Sequence, residues 1–446
     1  MRSLGVRVVL VSTYELGRQP FAIGSATAWL RRARCEVSCI DLSRNPGSAN
    51  DFDGADLIAI SLPMHTATRL AVPLIQAIRS SGSHATICTF GLYSAINAHY
   101  LQSIGVDRVL GAEWEQDLQN LALSLADSGS YEGFGFVPSK KVPKLQFLTP
   151  DRSELPDLTL YAHLKTASGS KIAGYTEATR GCKHLCRHCP VVNVYQGAFR
   201  VIQHDVVLAD IRQQVAAGAQ HITFGDPDFW NGPGHARRIV EQLHREFPDL
   251  SYDVTIKVEH LLARAGDLGL LRDTGCAFVV TAVESLDDQV LAKLEKGHTR
   301  AGFLKAVELC RKAGVTLAPT FIPFTPWTSL DSYRDLLQVL ASEDLIENTA
   351  PIQLAIRLLI PAGSRLLELA DVRERISHYD AAALLHRWTH ANPAIDALAE
   401  RAIKTVHAGQ KAGLTRSQIF ARLWDLVHEQ PLGVTELLPA RATVPY

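Results

Sequence analysis

The chain has 446 residues, enough for two or three domains with cores of their own. Its 45 Lys and Arg against 46 Asp and Glu leave a formal net charge of -1, without the basic footprint of a nucleic-acid binder. No stretch is apolar over a bilayer-spanning length, and the run Val8 to Val11 is too short for a signal-peptide core, so a cytoplasmic protein without a membrane partner is expected.

Residues 1–127 alternate short apolar runs, at 6–11, 36–41, 57–61, 85–90 and 107–110, with helical stretches at 21–34, 67–80 and 115–125. That rhythm predicts a parallel, doubly wound sheet. Such sheets bind ligands at the carboxyl ends of their strands, here Ser12 to Tyr14, Leu62 to Thr66 and Gly91 to Ser94. The stretch 128–172 is rich in Gly and Pro (Pro138, Pro143, Pro150, Pro156) and reads as a linker, with Lys140 and Lys141 in a solvated turn.

Alternation resumes over 173–375. Strands are predicted at 174–179, 221–224, 252–258, 278–283, 316–322 and 353–359. Helices are predicted at 205–217, 234–246, 260–273, 287–294, 302–313 and 330–341. Strands in sequence joined by helices predict a partial (β/α)6 barrel, with its site at the C-terminal strand ends. Residues 376–446 read as a helical C-terminal region, clearest at 381–388, 394–408 and 417–428. The expected fold class is therefore α/β: a doubly wound parallel sheet, a partial barrel and a helical C-terminal region.

Three of the eight cysteines, Cys182, Cys186 and Cys189, are spaced C-x3-C-x2-C directly after the first barrel strand. The others, Cys35, Cys39, Cys88, Cys276 and Cys310, are scattered, mostly in or beside apolar segments, and read as small buried hydrophobes. Three thiolates hold three irons of a cubane cluster and leave the fourth open to a substrate or cofactor. The alternative is a zinc site completed by His184 or His188, in a non-enzymatic metal-binding protein.

Charged residues finish several barrel strands. Gly225-Asp226-Pro227-Asp228-Phe229 ends the second, where carboxylates and backbone acceptors suit an ammonium; a plain turn is the alternative. Lys257 and Glu259 end the third, with a rim ion pair as the alternative reading. Glu284 and Ser285 end the fourth, and Lys296-Gly297-His298-Thr299 follows, as site or as structural turn. Arg357 lies in an apolar run, where a buried guanidinium needs a carboxylate partner. Thr320 to Thr328 holds Pro323, Pro326, Phe321, Phe324 and Trp327, a stiff wall that either packs the barrel or seats substrate.

The cysteine loop resembles that of the radical SAM superfamily. The resemblance implies a 4Fe-4S cluster on Cys182, Cys186 and Cys189, with S-adenosylmethionine chelating the open iron and cleaved reductively to a carbon radical. It implies cofactor contacts at Gly225, Asp226 and Asp228 for the amino group and at Glu259, Glu284 and Ser285 for the ribose and methionine parts; for Arg357 the carboxylate partner is either the cofactor's methionine carboxylate or a nearby Glu. His188 stands where the family often has a larger aromatic.

The N-terminal domain resembles the cobalamin-binding domain that precedes many such barrels. The D-x-H-x-x-G signature is replaced by Ser12-Thr13-Tyr14-Glu15-Leu16-Gly17, and His65 reads as a core or rim histidine. Cobalamin bound without a protein ligand, or no cobalamin, both stay open.

Over most of its length the chain is similar to Cys- or Sec-tailed radical SAM proteins related to the arsinothricin-biosynthesis enzyme. The shared stretches are the cysteine loop, Gly225 to Phe229 with Asn231-Gly232-Pro233, and 319–328. The chain ends at Thr443-Val444-Pro445-Tyr446, which implies a tail-less member or one ended before a selenocysteine-containing tail. The implied activity is transfer of a 3-amino-3-carboxypropyl or methyl group to a small-molecule substrate. The alternative is hydrogen abstraction by a 5'-deoxyadenosyl radical with rearrangement or coupling. Electrons are expected from an external donor such as flavodoxin or ferredoxin.

Overall fold

The computed structural model describes residues 5–45, 47–126, 144–166 and 169–428. Lys140, Lys141, Pro138, Pro143 and the C-terminal tail lie outside the described residues. Strands β1 (Arg7–Ser12), β2 (Glu36–Asp41), β3 (Leu57–Ser61), β4 (Thr86–Phe90) and β5 (Arg108–Val109) form one parallel sheet, ordered β2-β1-β3-β4-β5. Alternate residues feed two cores. Leu10, Leu57, Ala59 and Phe90 pack with helices Phe21–Arg32 and Glu115–Ala126; Val9, Val11, Ile58 and Ile60 pack with helix His65–Ser80. The strand order reverses between β1 and β3, and sheets of this order open a ligand crevice at that switch point.

The second sheet is built from β6 (His163–Thr166), β7 (Gly169–Thr176), β10 (His221–Phe224), β11 (Ser251–Thr255), β12 (Cys276–Glu284) and β13 (Leu317–Phe321). Its order is β13-β12-β11-β10-β7-β6, parallel throughout except for β6 against β7. β8 (Thr179–Gly181) and β9 (Phe199–Val201) form a separate antiparallel pair. Ile211, Ile239, Phe303 and Leu337 from the outer helices pack on Ile222, Tyr252, Val254 and Val279. This is a half-barrel. The expected architecture of parallel sheet, partial barrel and C-terminal helices is present.

Three local expectations change. Within the expected linker 128–172, residues 163–166 and the start of β7 belong to the barrel sheet, where β6 covers the edge of β7. The sixth barrel strand, 353–359, does not form. Pro351 opens a 3-10 turn, Pro361 closes the run, and only a single bridge between Phe324 and Arg357 remains. Residues 381–388, alanine-rich and expected helical, instead contribute to a hairpin of β14 (Ile376–Asp380) and β15 (Leu385–Trp388). Tertiary contacts override propensity there: Trp388 buries with Leu358 and Ile360, and the His386 N–H donates to the Ile360 carbonyl. Helices Pro393–Lys411 and Arg416–Trp424 complete the region.

The connection between the two sheets is anchored by charge. Arg152 donates to both carboxylate oxygens of Asp210 (2.8 and 2.9 Å) and to Gln19 Oε1 (2.8 Å), with both charged side chains nearly inaccessible. Arg152→Ala leaves the buried Asp210 carboxylate without its cation, held by Thr176, Gln213 and Gln214, and should lower stability by about 3 kcal/mol, read as a lower urea midpoint at unchanged slope.

Candidate functional site

The cysteine loop leaves β8 through Gly181, whose φ is +74°. A Cβ there would lie 2.4 Å from the Tyr195 ring and 2.5 Å from the Ala198 carbonyl oxygen, so the entry turn requires glycine. Asp226 ties down the strand just before it, accepting from the Ala178 N–H (2.9 Å) and Thr179 Oγ1 (2.5 Å). Burial pushes the Asp226 carboxyl up to about 7 despite those hydrogen bonds. On the far side the Arg187 N–H donates to the Leu294 carbonyl (3.0 Å) and Arg187 Nη1 to the Lys293 carbonyl (2.9 Å). Cys189 then caps the helix Pro190–Tyr195.

Cys182 and Cys186 are buried and Cys189 is half-buried. Burial raises the Cys182 thiol and pushes Cys189 up to about 12. The pocket therefore does not stabilise free thiolates by itself. Three soft ligands that need a compensating cation fit an iron-sulfur cluster.

Around this loop the strand ends present a ring of charged groups. Asp228 is wholly buried; Oδ1 accepts from the Trp230 N–H (3.2 Å). Its Oδ2 lies 2.7 Å from His260 Nδ1 and 3.6 Å from His184 Nε2, yet makes no well-formed hydrogen bond with either. Lys257 Nζ sits 3.3 Å from Glu259 Oε2, so the two form an ion pair at the rim. Glu284 lies beside an irregularity in the β12–β13 register and pairs with Lys296 Nζ (3.3 Å) and His188 Nε2 (3.1 Å). Burial pushes the Glu284 carboxyl up, but Lys296 and His188 together outweigh it and leave it at about 2. His298 has both ring nitrogens buried without a partner, and burial beside Lys296 and Lys257 lowers it to about 4.

The family model of the radical SAM superfamily matches residues 176–339. These residues are a radical SAM domain. Among curated relatives, bacteriochlorophyllide d C-8(2)-methyltransferase of Chlorobaculum tepidum is 24% identical over 300 residues, 64% of this chain and 62% of the relative. Hopanoid C-3 methylase of Methylococcus capsulatus is 25% identical over 151 residues, 34% of this chain and 29% of that protein. The chain thus spans less than two thirds of the length of either. Among solved structures, the cobalamin-dependent S-adenosylmethionine radical enzyme OxsB with aqua-cobalamin bound aligns with TM-score 0.70 and 15% identity, over 94% of this chain and 72% of that one. The radical S-adenosylmethionine methyltransferase TsrM of Kitasatospora setae, with cobalamin and a 4Fe-4S cluster bound, aligns with TM-score 0.60 and 16% identity, over 76% and 70%. The fold is shared with both.

Within the radical SAM domain, Asp228, Glu259 and Glu284 are brought to the loop or to its flanking charged groups. Other expected contacts are placed differently. Asp226 is spent on the backbone before the loop. Gly225 makes room for Tyr175, since a Cβ would fall 1.8 Å from that hydroxyl. Ser285 Oγ accepts from the Asp287 N–H (3.1 Å) and shapes a turn. Arg357 donates to Asp396 Oδ1 and the Trp388 carbonyl (both 2.7 Å) and stacks on Trp388, so its carboxylate partner is Asp396 of the C-terminal region. Phe321 and Phe324 of the apolar wall pack against Phe303 and Tyr333. Sequence reasoning missed His260, whose only signal was its place directly after Glu259 at a strand end.

One cavity borders the loop, and a second lies inside the half-barrel apart from these charged groups. The first, of about 520 Å³, lies between Ala95 and Ile96 of the N-terminal domain and Leu185, Val192, Asn193 and Arg365 beside the loop. The other, about 420 Å³ and mainly apolar, lies on the concave barrel face against His221, Thr223, Asp253, Phe278 and Thr320. At the N-terminal crevice, His65 Nε2 is engaged with the Ala383 carbonyl at 2.7 Å.

Lys296→Met leaves Glu284 buried with only His188 beside it and should lower stability by about 3 kcal/mol at neutral pH in urea unfolding. The folded value of Glu284 lies below its ordinary 4.5, so its contribution is complete above pH 4.5 and is lost as pH falls toward 2. The stability gap between wild type and Glu284→Gln should therefore narrow through that window.

Proposed function

We propose that this protein is a radical SAM transferase that cleaves S-adenosylmethionine reductively and delivers a methyl group to a small-molecule acceptor. The observation that carries the reading is the cysteine loop itself: three cysteines at the C-terminal strand ends of a half-barrel, across a cleft from a β2-β1-β3-β4-β5 sheet. Cys182, Cys186 and Cys189 hold the 4Fe-4S cluster. When bound, that cluster supplies the single electron that reductive cleavage of a sulfonium requires.

The chain's own groups position the cofactor. Asp228 offers an ammonium a buried carboxylate oxygen without a well-formed hydrogen bond. Lys257 and Glu259 offer a cation and an acceptor at the rim, and Glu284, kept ionised by Lys296, offers an acceptor for hydroxyls. Gly225, Asp226 and Ser285 act indirectly, by shaping the strand ends. The names of the relatives, methyltransferase and methylase, support methyl transfer over the other group transfers.

Cobalamin fits the crevice at the β1/β3 switch point without a protein ligand to cobalt, because no histidine follows β1 directly and His65 is engaged with Ala383. Electrons come from an external donor of the flavodoxin or ferredoxin kind, and the enzyme works in the cytoplasm; no helix among the described residues is long and apolar enough to cross a membrane.

The test is anaerobic reconstitution with iron and sulfide, then reductant and S-adenosylmethionine, with and without cobalamin. Expected are the broad visible absorption of a 4Fe-4S cluster and S-adenosylhomocysteine as a product. Methylthioadenosine instead would mean aminocarboxypropyl transfer, deoxyadenosine alone hydrogen abstraction, and absence of a cluster would overturn the whole reading. Alanine at any one of Cys182, Cys186 or Cys189 should abolish nucleoside formation and lose the 4Fe-4S signature.

A further inference from the structure

Asp228 and His184 face one another with buried atoms that neither bond suitably nor reach water. Asp228 is 0% exposed and His184 Nε2 is buried, and neither Asp228 Oδ2 nor His184 Nε2 has a hydrogen-bond partner. They are 3.6 Å apart, beyond a hydrogen bond. That spacing is close to the ligand–ligand edge of a zinc tetrahedron, about 3.4 Å for bonds near 2.1 Å. The Cys182 sulfur completes the set: one ligand atom each from Cys182, His184 and Asp228 lie within 4.8 Å of one another. His260 Nδ1 lies 2.7 Å from the same Oδ2, in poor hydrogen-bonding geometry, as a neighbour of the carboxylate.

We propose that the cluster-free protein binds one zinc ion through Cys182 Sγ, a ring nitrogen of His184 and a carboxylate oxygen of Asp228, with the fourth position open. The donor set of thiolate, imidazole and carboxylate is one that zinc accepts, and three protein ligands leave a coordination place for water or a small ligand. Binding releases the Cys182 thiol proton to solvent, with no change of oxidation state. The site needs neither Cys186 nor Cys189, so it differs from a three-cysteine zinc site. It shares Cys182 with the cluster, which makes the two metals mutually exclusive. Zinc then holds the protein in a state that cannot begin cluster assembly, and cluster loading frees His184 and Asp228 for the cofactor.

The double variant Cys186→Ala/Cys189→Ala separates this site from the cluster. Titrated anaerobically with Co2+, it should take up one equivalent with thiolate-to-cobalt absorption in the near ultraviolet, and Zn2+ should displace the cobalt. In that background Cys182→Ser should remove the thiolate band. Asp228→Asn, which keeps the cap on Trp230, and His184→Ala, on a partly exposed loop, should each weaken binding by about 100-fold, and His260→Ala by about 10-fold. Circular dichroism of each variant reports folding, and His184→Ala decides the matter if Asp228→Asn is unfolded. No metal uptake by the double variant overturns the proposal while leaving the cluster assignment intact. So does uptake that is indifferent to His184 and Asp228. In the wild type, zinc added first should block growth of the cluster absorption. Equal zinc uptake by cluster-loaded protein would refute the sharing of Cys182.

Discussion

Arg180 carries its guanidinium into the interior two residues before Cys182, and the site is arranged around keeping it satisfied. It donates to Glu115 (2.6 Å) and Glu177 (2.7 Å) and lies 3.6 Å from Glu113. Glu113 and Glu115 belong to the N-terminal domain, so one buried cation joins that domain to the base of the cysteine loop. Burial pushes the Glu113 carboxyl up to about 8, with Arg180 opposing, and the Tyr195 hydroxyl donates to it at 3.0 Å. A buried network of this kind is costly if one member is lost.

From that anchor the geometry follows by strand ends. Parallel strands all deliver their carboxyl ends to one side, so residues far apart in sequence meet there. Asp228 leaves β10, Lys257 and Glu259 follow β11, and Glu284 ends β12. Each is costly to bury alone. The observed solution divides them into two kinds. Glu284 is neutralised by Lys296, and Lys257 by Glu259, whereas Asp228 is left with histidines at poor hydrogen-bonding geometry. That incomplete satisfaction sets Asp228 apart from the other carboxylates of the site.

Much of this was legible in the residues. Four- to six-residue apolar runs between helices specify a parallel sheet because both faces are covered, and the N-terminal strands fell close to their expected places. The cysteine spacing was legible because three ligands on one short loop need no long-range information. The 353–359 run was misread because apolar content cannot separate a strand from a buried 3-10 turn flanked by prolines. The hairpin at 376–388 was misread because its alanines favour a helix in isolation, while Trp388 and Ile360 set its conformation from elsewhere in the chain.

The sequence alone determined the order of the domains, the half-barrel class and the three cysteines, since these depend on local periodicity and spacing. Only the tertiary structure decided what the charged residues do. Asp226 and Asp228 are two positions apart and chemically the same, yet one holds backbone before the loop and the other faces two histidines. Arg357 reads as a cofactor contact until Asp396, 39 residues later, is found to neutralise it. The division has one physical cause: a buried charge takes its role from the partner that compensates it, and that partner is brought by the fold.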